Sequence, residues 1–178
     1  SRISDSTLPA NSSEVVKNYL LLVISALMAM SCSDRHAFVV EQGKPAVMTL
    51  SSCEEPVVRT AAELVSRDYL KVFGDTLVLA SQTDDVCPSS QIVVATCGKE
   101  RADSLVAQLG VDSDSLASHP ESFYIGVKEI GGIVSLYIIG GDAHGTAYGL
   151  MALSRLMGVS PWEWWADSPV KPRKRWVV

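Results

Sequence analysis

Ten residues near the end of the chain hold its densest group of chemistry-bearing side chains: Gly140-Gly141-Asp142-Ala143-His144-Gly145-Thr146-Ala147-Tyr148-Gly149. An apolar run, Val134–Ile139, precedes them, and a helix-like stretch follows. Strand, glycine turn and helix form the plan of a phosphate-binding loop, whose amide N–H groups gather an anion at a helix start. Gly140 and Gly145 have the spacing of such a loop, and Thr146 follows. The lysine expected after the last glycine is missing, and Asp142 replaces the second glycine of a dinucleotide fingerprint. Both absences speak against nucleotide binding. The structural reading is stronger. Asp142 is placed to cap the helix, and Gly145 and Gly149, one turn apart, let that helix approach a sheet closely. Asp142 and His144 also have the spacing of a base and its orienting carboxylate. No serine or cysteine nucleophile motif accompanies them, so a polar loop histidine is the plainer account.

A second cluster closes the helix: Gly158-Val159-Ser160-Pro161-Trp162-Glu163-Trp164-Trp165-Ala166-Asp167. Each tryptophan can bury roughly 150–250 Å², or about 4–6 kcal/mol of transfer free energy. Flat apolar faces beside Asp167 would suit a sugar ring, the faces stacking and the carboxylate binding hydroxyls. The alternative is a core-edge cluster covered by a following domain, and it stands equally. Glu163 and Asp167 make a poor catalytic carboxylate pair, because nothing in a loop of this kind makes them face each other. His36 and His119 sit in turn-like contexts.

A length of 178 residues suffices for one domain. A hydrophobic content of 47% with 20% charged residues describes a globular chain. Its net charge of −5 argues against a nucleic-acid surface. The one basic run, Lys171–Arg175, reads as a solvated strand entry. No cofactor motif occurs, and no histidine lies at zinc-ligand spacing from a cysteine, so neither cofactor nor metal is expected.

The amino end is a separate matter. Lys17 precedes an apolar run, Tyr19–Met30, of 12 residues, short of the about 20 needed to span a membrane. The run and the small residue before Cys32 read as an export signal over 16–32, with Cys32 as a lipidation site. Ser-rich residues 1–15 read as a non-native or disordered leader. Lipidation of Cys32 would leave Cys53, Cys87 and Cys97, an odd set that yields at most one bridge.

The elements that must position the glycine turn follow from pattern. Ala37–Glu41 and Ala46–Leu50, parted by Gln42-Gly43-Lys44-Pro45, read as a hairpin. A helix starts near Pro56, with Val58, Ala61, Ala62, Val65, Tyr69, Val72 and Phe73 at helical spacing, and Gly74 ends it. Thr76–Ala80 and Gln91–Thr96 read as strands, Lys99–Leu109 as a helix, and Asp112–Pro120 as a polar stretch. Ser122–Lys128 and Ile133–Gly140 are strands joined by Glu129-Ile130-Gly131-Gly132. A helix over Gly145–Met157 follows, and Trp176–Val178 begins another strand. The order ββαββαββα predicts an α/β (α+β) fold with a mixed sheet covered by helices.

Four segments, VVRTAAELVSRDYLKVFG, ESFYIGV, IIGGDAHGTAYGLMALSRLMGVSPW and EWWADSPVKPRK, resemble the amino-terminal region of glycoside hydrolase family 115, the xylan α-glucuronidases. They span about residues 56–175. The pairing of GD–x–x–GTAYG with GVSPWxWWAD is the specific part. The resemblance implies a hexosaminidase domain-2-like α/β domain over 33–160, with 161–178 as the entry into a (β/α)8 barrel. It implies removal of α-1,2-linked glucuronic or 4-O-methylglucuronic acid from xylan by the longer protein. The amino-terminal signal and Cys32 lead us to expect export to the periplasm or outer membrane. The partners implied are glucuronoxylan or its oligosaccharides, the downstream barrel and, for the full-length form, a second copy in a homodimer. Asp142, His144, Trp162, Trp164, Trp165 and Asp167 are the substrate-binding candidates it suggests. Gly145, Thr146, Tyr148, Gly149 and Pro161 are motif matches of structural kind, and no catalytic residue carries over. Two basic residues usually follow the family's aspartate; here Ala143 and His144 stand there. A non-catalytic carbohydrate-binding or structural module is the alternative function.

Overall fold

A computed structural model describes residues 37–81, 88–99, 101–163 and 168–178. The leader, the export signal, Cys32, His36, Cys87, Trp164, Trp165 and Asp167 lie outside the described residues.

The elements, in order, are β1 (Val39–Glu41), β2 (Ala46–Thr49), α1 (Pro56–Phe73), β3 (Leu77–Ala80), β4 (Ser90–Thr96), α2 (Ala102–Leu109), α3 (Ser113–Ser118), β5 (Phe123–Ile130), β6 (Ile133–Gly140), α4 (Ala143–Met157) and β7 (Arg175–Val177). A five-stranded sheet has the order β3-β2-β4-β6-β5. Strands β3, β2, β4 and β6 run parallel, and β5 is antiparallel to β6. The mixed sheet expected from sequence is present.

Strand alternation sorts the core into two layers. Ile92, Val94, Leu136 and Ile138 face one way, into a core built with the buried faces of α1 and α4. Val93, Tyr137 and Ile139 face the other, towards Val106 and Leu109 of α2 and Leu116 of α3. Helix α1 buries the seven residues expected of it, starts on Pro56 and stops at Gly74 in the left-handed conformation. Helix α4 packs beside α1 on the same face. The β5–β6 hairpin turns on Gly131 and Gly132, whose φ values of 61° and 82° suit the two-residue turn.

The expected β1–β2 hairpin does not form. Strand β2 lies between β3 and β4, parallel to both, and β1 pairs antiparallel with β7 across the length of the domain. The reason lies in burial. All four residues of β2 are buried, as befits a central parallel strand covered on both faces. The exposed Gln42–Lys44 turn is tied instead to the end of α1, the Gly43 N–H donating to Asp75 Oδ2 at 2.6 Å. The polar stretch 112–120 contains a helix not expected there, α3, capped by Asp112, whose Oδ1 accepts from the Asp114 and Ser115 N–H groups at 3.1 Å each. Trp176 on β7 is buried, with its ring 6.1 Å from Phe38 and 6.4 Å from Phe73.

Candidate functional site

The carboxyl ends of β2, β4 and β6 lie side by side, and the glycine turn sits there. In open α/β sheets this edge is where ligands bind, at the point where strand order reverses. Here the reversal falls at β2, with β3 added on one side and β4 on the other.

Asp142 is the N-cap of α4. Its Oδ1 accepts from the Gly145 N–H at 2.7 Å and its Oδ2 from the Glu121 N–H at 2.9 Å. These two N–H groups hold its carboxyl below the usual aspartate value, and the nearby His144 adds a smaller pull in the same direction. Glu121 adopts a left-handed φ of 62°, uncommon for a residue with a side chain, and the bond to Asp142 helps hold it there. Asp142 thus clamps the approach to β5 onto the start of α4. The close approach expected of the glycines is present: a Cβ at Gly145 would overlap the Ser122 carbonyl oxygen, and one at Gly149 would lie 2.6 Å from Ile138 Cγ2.

Beneath the turn lies a buried polar chain that sequence reasoning missed. Thr96, the last residue of β4, donates to Glu54 Oε2 at 2.7 Å and contacts Thr146 Oγ1 at 2.8 Å. Because the one hydroxyl proton of Thr96 lies on Glu54, Thr146 is the donor to Thr96. The Asp142 carbonyl, 3.0 Å from Thr146 Oγ1, already accepts from the Thr146 N–H at 2.9 Å. Glu54 is 5% exposed, and its Oε1 has no partner among the described residues. Nothing in the pattern Ser51-Ser52-Cys53-Glu54-Glu55 marks one glutamate as buried. Between β4 and α4 this edge is occupied by the chain's own carboxylate and hydroxyls, while a concavity of about 350 Å³ lies beyond the ends of β2 and β3.

His144 is exposed, and Tyr148 is 48% exposed. Pro161 and Trp162 follow the other end of α4, with Trp162 65% exposed. A helix of 15 residues separates the two groups by about 22 Å at 1.5 Å per residue. Asp142 and His144 therefore do not share a small ligand with Trp162. Glu163 forms an ion pair with Lys71, its two oxygens 2.9 and 3.0 Å from Nζ. Cys53 and Cys97 are free thiols, and burial, with Asp103 second, pushes the Cys97 thiol up. Among the described residues there is no cluster of three metal-ligating side chains, and no helix is long and apolar enough to cross a membrane.

A groove of about 480 Å³ lies between α1 and α4. Leu64, Met151, Val159 and Pro161 wall it, with Ser154 also lining it and Arg67, Asp68, Lys71, Arg155 and Glu163 along the rim. Sequence reasoning did not single out this groove, because its residues are spread over two helix faces.

No protein-family model matches the chain, and no curated protein does. Among solved structures, the chain is similar to a family GH115 4-O-methyl-α-glucuronidase with specificity for decorated arabinogalactans. The identity is 39% and the TM-score 0.63, over 78% of this chain and 17% of that one. The chain thus spans about a sixth of that protein's length. The protein CpGH84D shares the fold at 8% identity and a TM-score of 0.52, over 78% of this chain and 20% of its own. The resemblance to the amino-terminal region of glycoside hydrolase family 115 read from the four segments is borne out by the first of these matches.

Proposed function

From this kinship with glycoside hydrolase family 115, we propose that the chain is an amino-terminal accessory domain of an exported glycoside hydrolase. The whole enzyme removes α-1,2-linked glucuronic or 4-O-methylglucuronic acid from a plant polysaccharide such as xylan, and its catalytic groups reside on a downstream (β/α)8 barrel. The observation that carries this reading is the likeness of sequence and fold together to a 4-O-methyl-α-glucuronidase. Three carboxylates near the motifs fit a supporting role: Asp142 is engaged by two backbone N–H groups, Glu163 by Lys71, and Glu54 is buried. On this reading Cys32 carries the lipid that anchors the enzyme, and fatty-acid labelling lost in Cys32→Ser tests it.

The deciding experiment incubates the purified 178-residue chain, and separately a polypeptide continued beyond Val178, with glucuronoxylan oligosaccharides and with a glucuronate-decorated arabinogalactan. The longer polypeptide is expected to release the uronic acid and the shorter one none. Release by the short chain alone would overturn the proposal. A second reading, a carbohydrate-binding module, draws on the 65% exposure of Trp162. Calorimetric titration of the short chain with the same oligosaccharides, giving heat that Trp162→Ala abolishes, would favour it.

A further inference from the structure

We propose that the hollow between α3 and the start of β5 binds one neutral sugar ring; that this ring belongs to a polysaccharide rests on the accessory-domain reading. The hollow holds about 400 Å³, within the span of small-molecule sites. Val111 and Leu116 give it apolar walls, Tyr124 an aromatic one, and Asp112, Ser115 and His119 supply polar groups. That mixture matches a pyranose, which presents C–H groups on its faces and hydroxyls around its edge. Charge decides which sugar. Asp112 lines the hollow and no lysine or arginine does, so a uronate would meet repulsion. A metal ion would find a single carboxylate backed by apolar walls, too few oxygen ligands for calcium or magnesium.

The aromatic wall lies flat. A Cβ at Gly126 would overlap the Tyr124 hydroxyl and lie 2.6 Å from its Cζ. Tyr124 and Gly126 share a face of β5, so the missing side chain lets the ring rest along the strand. Tyr124 is half-buried, which leaves part of it open to a stacking partner. The polar groups are held in place and only partly used. Asp112 Oδ1 accepts from the Asp114 and Ser115 N–H groups at 3.1 Å each, and Oδ2 has no partner among the described residues. His119 Nδ1 lies 2.7 Å from the Ser115 carbonyl oxygen. That oxygen only accepts, so Nδ1 carries the proton and Nε2 of the neutral ring is left as an acceptor. The Ser115 hydroxyl is exposed and likewise without a partner among the described residues. Two acceptors and a hydroxyl therefore line the hollow for sugar O–H groups. The floor is tied down: Ser122 Oγ donates to the Leu116 carbonyl oxygen at 2.6 Å, and Gly141 leaves room for that same carbonyl. A preset site loses less freedom on binding.

The test is calorimetric titration of the 178-residue chain with unbranched xylo-oligosaccharides in one arm, galacto-oligosaccharides in a second and glucuronic acid in a third. A Kd on the order of 1 mM is expected in one of the neutral arms, and that arm names the sugar. No heat is expected from glucuronic acid. Tyr124→Leu, which keeps an apolar side chain towards α3, should abolish the heat, and Tyr124→Phe should retain it. Asp112→Asn, which still caps α3, and His119→Ala should each weaken binding about tenfold. If Tyr124→Leu lowers the Tm, Asp112→Asn and His119→Ala decide, and an unchanged Kd in both overturns the inference. No heat from either neutral arm overturns it, as does binding of glucuronic acid in their place. Heat that survives in a folded Tyr124→Leu and is lost in Trp162→Ala assigns the sugar to the other end of α4 and overturns it too. Failure of the longer polypeptide to release uronic acid bears on the accessory-domain reading alone, because these titrations use the short chain and neutral sugars.

Discussion

The two ends of α4 differ in what they leave undone. At its start, Asp142 is consumed within the fold by two N–H groups, Thr146 by Thr96, and Thr96 by Glu54, while His144 stays exposed. Towards its end, unremarkable helix residues border an open apolar groove, with the Ser154 hydroxyl and the Arg67 and Arg155 guanidinium groups unpartnered among the described residues. The contrast teaches that a dense polar motif can be a device for packing, while ordinary amphipathic helices can leave an apolar groove open.

Substitutions at four places would break or sharpen that contrast or calibrate it. The largest effect is expected at Gly145. Gly145→Val places atoms on the Ser122 carbonyl oxygen, where only backbone movement can make room, and should lower stability by about 3 kcal/mol in urea titration. Wild-type stability there would show that the close approach to Ser122 is not what requires the glycine.

Asp142→Ala removes a helix cap and the partner of the Glu121 N–H, and should cost about 2 kcal/mol. The folded-state value of Asp142 lies below its ordinary 3.8, so its contribution is complete above that value and is lost as pH falls through the depressed one. Acid titration of Asp142→Asn should therefore show a shallower loss of stability than wild type below about pH 4.

Tyr69, distant in role from both regions, carries a buried hydroxyl with no partner among the described residues. Burial, with Asp75 second, pushes it up from 10.0 to about 12. The raised value means that stability is fully present below pH 10 and declines from there to about pH 12. Tyr69→Phe should be neutral or stabilising by up to about 1 kcal/mol at pH 7, and should flatten that alkaline decline. The smallest effect belongs to the groove rim: Arg67→Ala or Arg155→Ala in the 178-residue chain should stay within about 0.5 kcal/mol of wild type. A larger loss would show that these residues already serve the isolated fold.

Local features were legible where one segment decides its own structure. Helix α1 is written in its apolar spacing and its Pro56 and Gly74 ends, and the β5–β6 turn in Gly131-Gly132. Pairing partners were not legible. A turn-like Gln42–Pro45 suggested a hairpin, but the full burial of Ala46–Thr49 is compatible only with a central place in the sheet, and that depends on strands far along the chain. Helix α3 escaped notice because it buries only Leu116, too little to give a period. At the glycine turn, the cap and the close helix approach could be read from Asp142, Gly145 and Gly149. The partners Glu54 and Thr96 could not, since they arrive from the ends of other strands.

The β1–β7 ribbon has a mechanical consequence. Val39 lies opposite Val177, and the Phe38 and Val178 backbones bond each other in both directions at 3.1 and 3.0 Å. Tension applied to the sequence on either side of the domain therefore enters at neighbouring points. It would peel this short ribbon like a zip, bond by bond, before any load reached the parallel sheet. The clasp is the domain's fuse: under force it opens first and leaves the layered core folded behind it.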